Sequence, residues 1–175
     1  QGLQAGKILA NGTPDDPSLP KYRVYKILKG WETLPPGPIR DEYELDYNEW
    51  PVEDGAPWVD VNGDGVYTPG VDKPKYVGDE TLWYVANDMD PSRSTFTYGS
   101  MPIGLEFQTT IWAFDSTNFI GDVVFKKYRI INKGNTTIDS LFFAYWMDSD
   151  LGDAADDFAG CDPYYSLTYV YNGDN

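Results

Sequence analysis

Between Leu105 and Met147 the chain repeats a period of two, and that pattern limits the folds open to it. Leu105 to Phe114 places Leu105, Phe107, Thr109, Ile111 and Ala113 on one side. Val123 to Asn132 follows, and Lys133-Gly134-Asn135 reads as a hairpin-like turn. In Ile138 to Met147, Leu141, Phe143, Tyr145 and Met147 alternate with Ile138, Phe142, Ala144 and Trp146. Both sides are apolar there, as in a central strand. Successive strand side chains point to opposite faces, so these stretches predict strands joined by turns. Lys21 to Leu28, Leu82 to Ala86 and Tyr164 to Tyr171 add further strands. The aromatic content of 16% and the many Val, Ile and Thr residues favour the same state. The expected fold is all-β: an antiparallel β-sandwich, Ig-like or jelly-roll-like, with long loops and one short helix.

The helix is expected over Asp41 to Trp50. Asp41 can cap it, with Glu44 three residues on, and Tyr43, Tyr47 and Trp50 share one face. Pro51 ends it. Asn87-Asp88-Met89-Asp90-Pro91 reads as an acidic turn. No internal boundary or repeat is visible, so residues 1–175 are expected to form a single sandwich domain. Residues 1–10 alternate weakly and are a candidate exchangeable N-terminal strand. The chain starts at Gln1 and stops on the turn signal Asn172-Gly173-Asp174-Asn175. A turn leads to another strand, so we expect an excerpt from a longer secreted chain.

Charge and missing residue types exclude several functions. The formal charge is −15, from 13 basic and 28 acidic residues. Phosphate neutralisation needs a basic face, which argues against nucleic acid and against an anionic membrane surface. No apolar run has the length of a membrane span, so insertion is not expected. Histidine is absent. The commonest general base and transition-metal ligand are therefore missing, and Ser-His-Asp or Cys-His chemistry is impossible within the chain. Cys161 is alone and forms no internal disulfide. Its neighbour Asp162 opposes the electropositive setting that a nucleophilic thiolate needs.

Residues 60–72 carry the clearest chemistry: Asp60-Val-Asn62-Gly-Asp64-Gly65-Val66, then Tyr-Thr-Pro-Gly-Val-Asp72. Asp60, Asn62 and Asp64 alternate, and Gly65 permits a sharp turn because it lacks Cβ. The Val66 carbonyl would point inward as a fourth oxygen. EF-hand loops begin in this way, with ligands at positions 1, 3, 5 and 7. The bidentate Glu of such a loop is absent, since Val71 stands there, and Asp72 is the expected closing ligand. The expected cofactor is calcium, on Asp60, Asn62, Asp64, Val66 and Asp72. A plain Asn-Gly/Asp-Gly turn is the alternative.

Other groups carry weaker signals. Asp148, Asp150, Asp153, Asp156 and Asp157, with Asp162 beyond, are either a second metal site or a solvated acidic loop. Paired carboxylates about 5 to 9 Å apart could serve a glycoside hydrolase. Glu80, Glu106, Asp148 and Asp150 are candidates, with Glu106 more simply read as an outward-facing strand residue. Trp31, Trp50, Trp58 and Trp83 could stack on sugar rings, or fill the core. Asn11 and Asn135 match the N-glycosylation pattern. Ser116 and Ser140 sit in Asp-Ser-Thr and Asp-Ser-Leu triplets that resemble an O-glycosylation motif of Bacteroidetes.

Long segments resemble one family. Trp58 to Asp72, Trp83 to Asp90, Gly99 to Glu106 and Asp148 to Asp153 are similar to N-terminal segments of large secreted Bacteroidetes and Ignavibacteria proteins of the type IX secretion, sorting-domain kind. The resemblance covers most of the chain from Asn11. It implies secretion, an extracellular or cell-surface location and β modules, and it assigns no reaction. The resulting expectation is a non-enzymatic, calcium-stabilised structural or adhesive module. Its partners would be calcium and copies of itself, joined into filaments by strand addition. Calcium-dependent carbohydrate binding is the alternative, and a carboxylate-based glycoside hydrolase the third reading.

Overall fold

The computed structural model describes residues 2–147, 149–153 and 155–173. Where the sequence shows no boundary, the chain divides into two compact units, Gln1–Ile138 and Asp139–Asn175. The first unit runs β1 (Gln4–Ala5), β2 (Tyr25–Leu28), α1 (Pro38–Asn48), β3 (Trp58–Val59), β4 (Lys73–Pro74), β5 (Glu80–Asn87), α2 (Pro91–Tyr98), β6 (Leu105–Ala113) and β7 (Phe125–Asn132).

β5, β6 and β7 are neighbours in a five-stranded antiparallel sheet. β1 and β2 both pair with β5, at Ala86–Asn87 and at Glu80–Trp83. The register puts Tyr25 opposite Trp83, and Trp83 opposite Thr110. Thr81, Trp83 and Val85 are therefore buried on one face, while Leu82 and Tyr84 are half-buried on the other. The core collects Tyr25, Ile27, Trp31, Trp50, Ala56, Trp83 and Val85, with Tyr43 and Tyr47 against it. Trp50 meets Tyr25 edge-on at 6.2 Å and lies 6.3 Å from Trp83. The layer on this face is α1 with single helical turns at Trp31–Thr33 and Val52–Asp54. The fold is thus β-rich, with antiparallel sheets and two short α-helices among the described residues.

α1 carries the expected Tyr43 and Tyr47 on its inner face but begins and ends earlier than expected. It stops at Asn48, before Pro51 is reached, and Trp50 packs into the core from beyond its end. Pro38 is its first residue, where a missing N–H loses nothing. Asp41 is no cap: its N–H already bonds the Gly37 carbonyl at 3.0 Å. The acidic turn expected at residues 87–91 ends in a helix start instead. The Asp90 side chain accepts from the N–H groups of Ser92 and Arg93, Pro91 takes the first position, and Gly99 closes α2 with φ 68°.

In the second unit β8 (Asp157–Asp162) and β9 (Leu167–Asn172) form an antiparallel hairpin. The strand expected over Ile138 to Met147 is not formed. Phe142 and Trp146 are 89% and 81% exposed. Among the described residues no strand pairs with that segment, and without a ladder partner an apolar run alone makes no strand.

Candidate functional site

β3 and β4 pair Trp58 with Pro74 and Val59 with Lys73, so residues 60–72 form the loop of a two-stranded hairpin. Asp60 Oδ1 accepts from Gly63 N at 2.6 Å, and its Oδ2 accepts from Gly65 N at 2.8 Å. Asn62 Oδ1 accepts from Asp64 N at 3.2 Å, and Asp64 Oδ1 from Val66 N at 2.8 Å. Gly63 and Gly65 have φ of 77° and 76°, values an L side chain rarely adopts. These bonds fold the backbone of residues 63–66 back onto the Asp60, Asn62 and Asp64 side chains.

Asp72 differs from the other three. It is 3% exposed, whereas Asp60, Asn62 and Asp64 are exposed. Its Oδ1 accepts from Val61 N at 2.8 Å and its Oδ2 from Thr68 N at 2.7 Å. Asp72 thus ties the two limbs of the loop together. Beside it, burial and the Asp72 charge push the Tyr67 hydroxyl above its ordinary pKa. Among the described residues, no three or more Asp, Glu, Cys or His side chains group as a metal site. A cation here would need the Asn62 amide oxygen and the Val66 carbonyl beside the carboxylates.

The second acidic segment is not gathered in the same way. Asp148 lies outside the described residues. Asp153 Oδ1 accepts from Ala155 N, Asp157 Oδ2 from Leu151 N, and Asp162 Oδ1 from Tyr164 N. Asp150 is exposed, and Asp156 Oδ1 has no hydrogen-bond partner among the described residues. Of the proposed sugar-modified positions, Asn11, Asn135 and Ser140 are exposed and Ser116 is half-buried.

Glu106 is not outward-facing. It is fully buried. Its Oε2 accepts from Ile8 N at 2.8 Å and from Lys133 Nζ at 2.6 Å, and its Oε1 accepts from Gln108 Nε2 at 3.0 Å. Glu80 is half-buried and accepts from the Tyr43 hydroxyl at 2.9 Å. Trp31, Trp50 and Trp83 are core residues, whereas Trp58 is half-buried at the foot of the hairpin loop and meets Tyr67 edge-on at 5.6 Å.

Sequence reasoning missed three further buried carboxylates. Asp88 accepts from the N–H groups of Ile103, Gly104 and Leu105. Asp46 accepts from Arg23 Nε at 2.9 Å and Lys26 N at 2.8 Å. Asp54 pairs with Lys7 at 2.5 Å. For Asp46 a signal existed, since it stands between Tyr43 and Tyr47 on the inner side of α1.

No protein-family model matches this chain, and no curated protein or solved structure matches it either.

Proposed function

We propose that this chain is a structural or adhesive module of a secreted protein, and that its β3–β4 loop takes one calcium ion. The observation that carries this reading is the winding of residues 60–66. Asp60, Asn62 and Asp64 each accept a backbone N–H from further along the loop, around two glycines with positive φ. A carboxylate or amide oxygen that accepts one N–H keeps a lone pair for a cation. Calcium takes about six to eight oxygens in flexible geometry, and waters fill what the loop leaves open. Asp60, Asn62, Asp64 and the Val66 carbonyl would supply the first donors, and Asp72 would close the set. Binding confined to the folded state adds about 2.7 kcal/mol at a hundredfold excess over Kd. That gain would fall on an exposed loop held by no disulfide.

The sheet supports the remaining parts of the reading. Leu82, Tyr84, Phe107, Ile111 and Ile130 share its second face and are half-buried. A further sheet against that face would complete a β-sandwich. Exchange of residues 1–10 between copies would be the assembling form of the module. The deciding experiment is a thermal melt with calcium and with chelator, on the parent chain and on Asp60→Ala and Asp64→Ala. A calcium-dependent rise in Tm that both substitutions abolish supports the site. An unchanged Tm in millimolar calcium overturns it.

A further inference from the structure

We propose that the groove between the β3–β4 hairpin and the β5–β6–β7 surface binds a short acidic saccharide through a uronate carboxylate. It is a cavity of about 470 Å³. The register explains what lines it. Trp83, Thr110 and Lys127 stand in one cross-strand row, and Val85, Gln108 and Arg129 in the next. Period-two alternation points both rows to the same face. The foot of the hairpin supplies the opposite wall. Lys75 N donates to the Pro57 carbonyl at 2.9 Å, which sets Lys75 near Trp58.

The charge of this groove is the reverse of the molecule's. The chain has 28 acidic and 13 basic residues. Yet Lys75, Lys127 and Arg129 all line the groove, and none of its lining residues is acidic. Seven of the ten cations elsewhere, Lys7, Lys21, Arg23, Lys26, Lys29, Arg93 and Lys133, each meet a carboxylate. Arg40 and Lys73 stand apart from one another, in α1 and β4, without an ion pair among the described residues. Among the described residues Lys75, Lys127 and Arg129 meet none. Arg129 gives one bond, from Nη1 to Gln108 Oε1 at 3.1 Å, and is otherwise open to solvent. Unpaired cations converging in a carboxylate-rich protein mark a place where an anion is accepted.

The size and polarity of the groove narrow the ligand. A long polyanion would meet the repulsion of a molecule carrying −15. A ligand with one or two charges sits within about a Debye length, ~8 Å at physiological salt, and responds to the local cations. Arg129 offers a planar fork for a carboxylate, and the two lysines add point charges. Trp58 presents a half-buried ring for the apolar face of a sugar, and the Thr110 hydroxyl offers a partner for its hydroxyls. Gln108, its amide already bonded to Asp54, Glu106 and Arg129, holds the Arg129 fork in place. A carboxylate with a stacking ring and several hydroxyls is a uronic acid. The inference does not need a metal in the hairpin loop.

The test is calorimetric titration of the full chain with a galacturonic acid disaccharide, its neutral galactose counterpart and a glutamyl-glutamate dipeptide. Each titration is run in calcium and in chelator, so that failure of the loop and failure of the groove stay distinct. The expected result is binding of the acidic disaccharide at least about tenfold tighter than of either comparison ligand, a difference of ~1.4 kcal/mol. Lys127→Gln combined with Arg129→Gln should weaken it at least about tenfold, while Lys73→Gln, outside the groove, leaves it unchanged. Both groove substitutions are at exposed positions, and circular dichroism checks the fold. No acidic-disaccharide binding, equal binding of the neutral sugar, equal binding of the dipeptide, or full affinity in the double variant would each overturn the proposal.

Discussion

Ile8 donates its backbone N–H to Glu106 Oε2 at 2.8 Å, joining positions 98 apart in the chain. Lys133 Nζ reaches the same oxygen at 2.6 Å and also donates to the Ile8 carbonyl at 2.9 Å. One buried carboxylate thus ties the N-terminal segment, β6 and the turn after β7 into a single polar knot. A fully buried charge is tolerated only when its partners are complete.

Lys133→Met tests that dependence. It leaves Glu106 buried without its cation, which destabilises by roughly 3–5 kcal/mol. Glu106→Leu with Lys133→Met should be milder than Lys133→Met alone, because no buried charge is stranded. Urea unfolding of the two variants measures this. Equal losses would show that the pair is not coupled.

Much of this was legible in the sequence, and the failures share a cause. β5, expected only over Leu82 to Ala86, extends over Glu80–Asn87, whereas β6 is legible because apolar residues alternate along its nine residues. The same alternation misplaced Glu106. Leu105, Phe107 and Ile111 look like the inner face, yet Trp83 and Tyr25 sit on the Glu106 side. Both faces of β6 are partly covered, and alternation alone cannot say which is deeper. Ile138 to Met147 failed for a different reason: apolarity reports a wish for burial, while a strand needs a partner ladder. α2 was missed because Asn87-Asp88-Met89-Asp90-Pro91, expected as a turn, satisfies a helix start as well.

Gly65 is the residue on which the loop winding turns. Its φ is +76°, and a Cβ there would meet open space. Gly65→Ala therefore introduces backbone strain without a clash, at about 1 kcal/mol. The Asp60 Oδ2 bond to its N–H at 2.8 Å should loosen with it. Proton exchange at the Gly65 amide in the parent, and a calcium titration of both chains, provide the check. An Ala variant with parental calcium affinity would mean that this winding does not shape a site.

Asp15 supplies a pH test. The Tyr22 hydroxyl donates to its Oδ2 at 2.7 Å, the Asp16 N–H and Lys21 add to this, and its pKa falls from the ordinary 3.8 to about 2. A depressed carboxylate pKa contributes stability in full above the unfolded value. That contribution is lost as pH falls from about 3.8 through about 2. Carbon NMR titration of the Asp15 carboxyl should give its midpoint near 2 in the parent. Tyr22→Phe should raise it, and an unmoved midpoint would assign the shift to another partner.

The N-terminal strand gives the last test, because it is held by more than its own ladder. Gln4 and Ala5 pair with Asn87 and Ala86, Ile8 is 1% exposed, and Lys7 meets Asp54 at 2.5 Å. Removing residues 2–10 exposes the pocket of Ile8, worth about 1.5–3 kcal/mol, and takes two partners from the Glu106 and Lys133 knot. The truncated chain should melt several degrees lower, since ~1 kcal/mol shifts Tm by roughly 2–8 °C. It should also keep an open edge on β5 at Ala86–Asn87. A synthetic peptide of residues 2–10, added in trans, should then restore the lost Tm in a concentration-dependent way. Light scattering of the full chain tests whether the same segment passes between copies. Filaments that form equally well without residues 2–10 would rule out strand donation, and a peptide that fails to restore Tm would show that the segment cannot act as a separable strand.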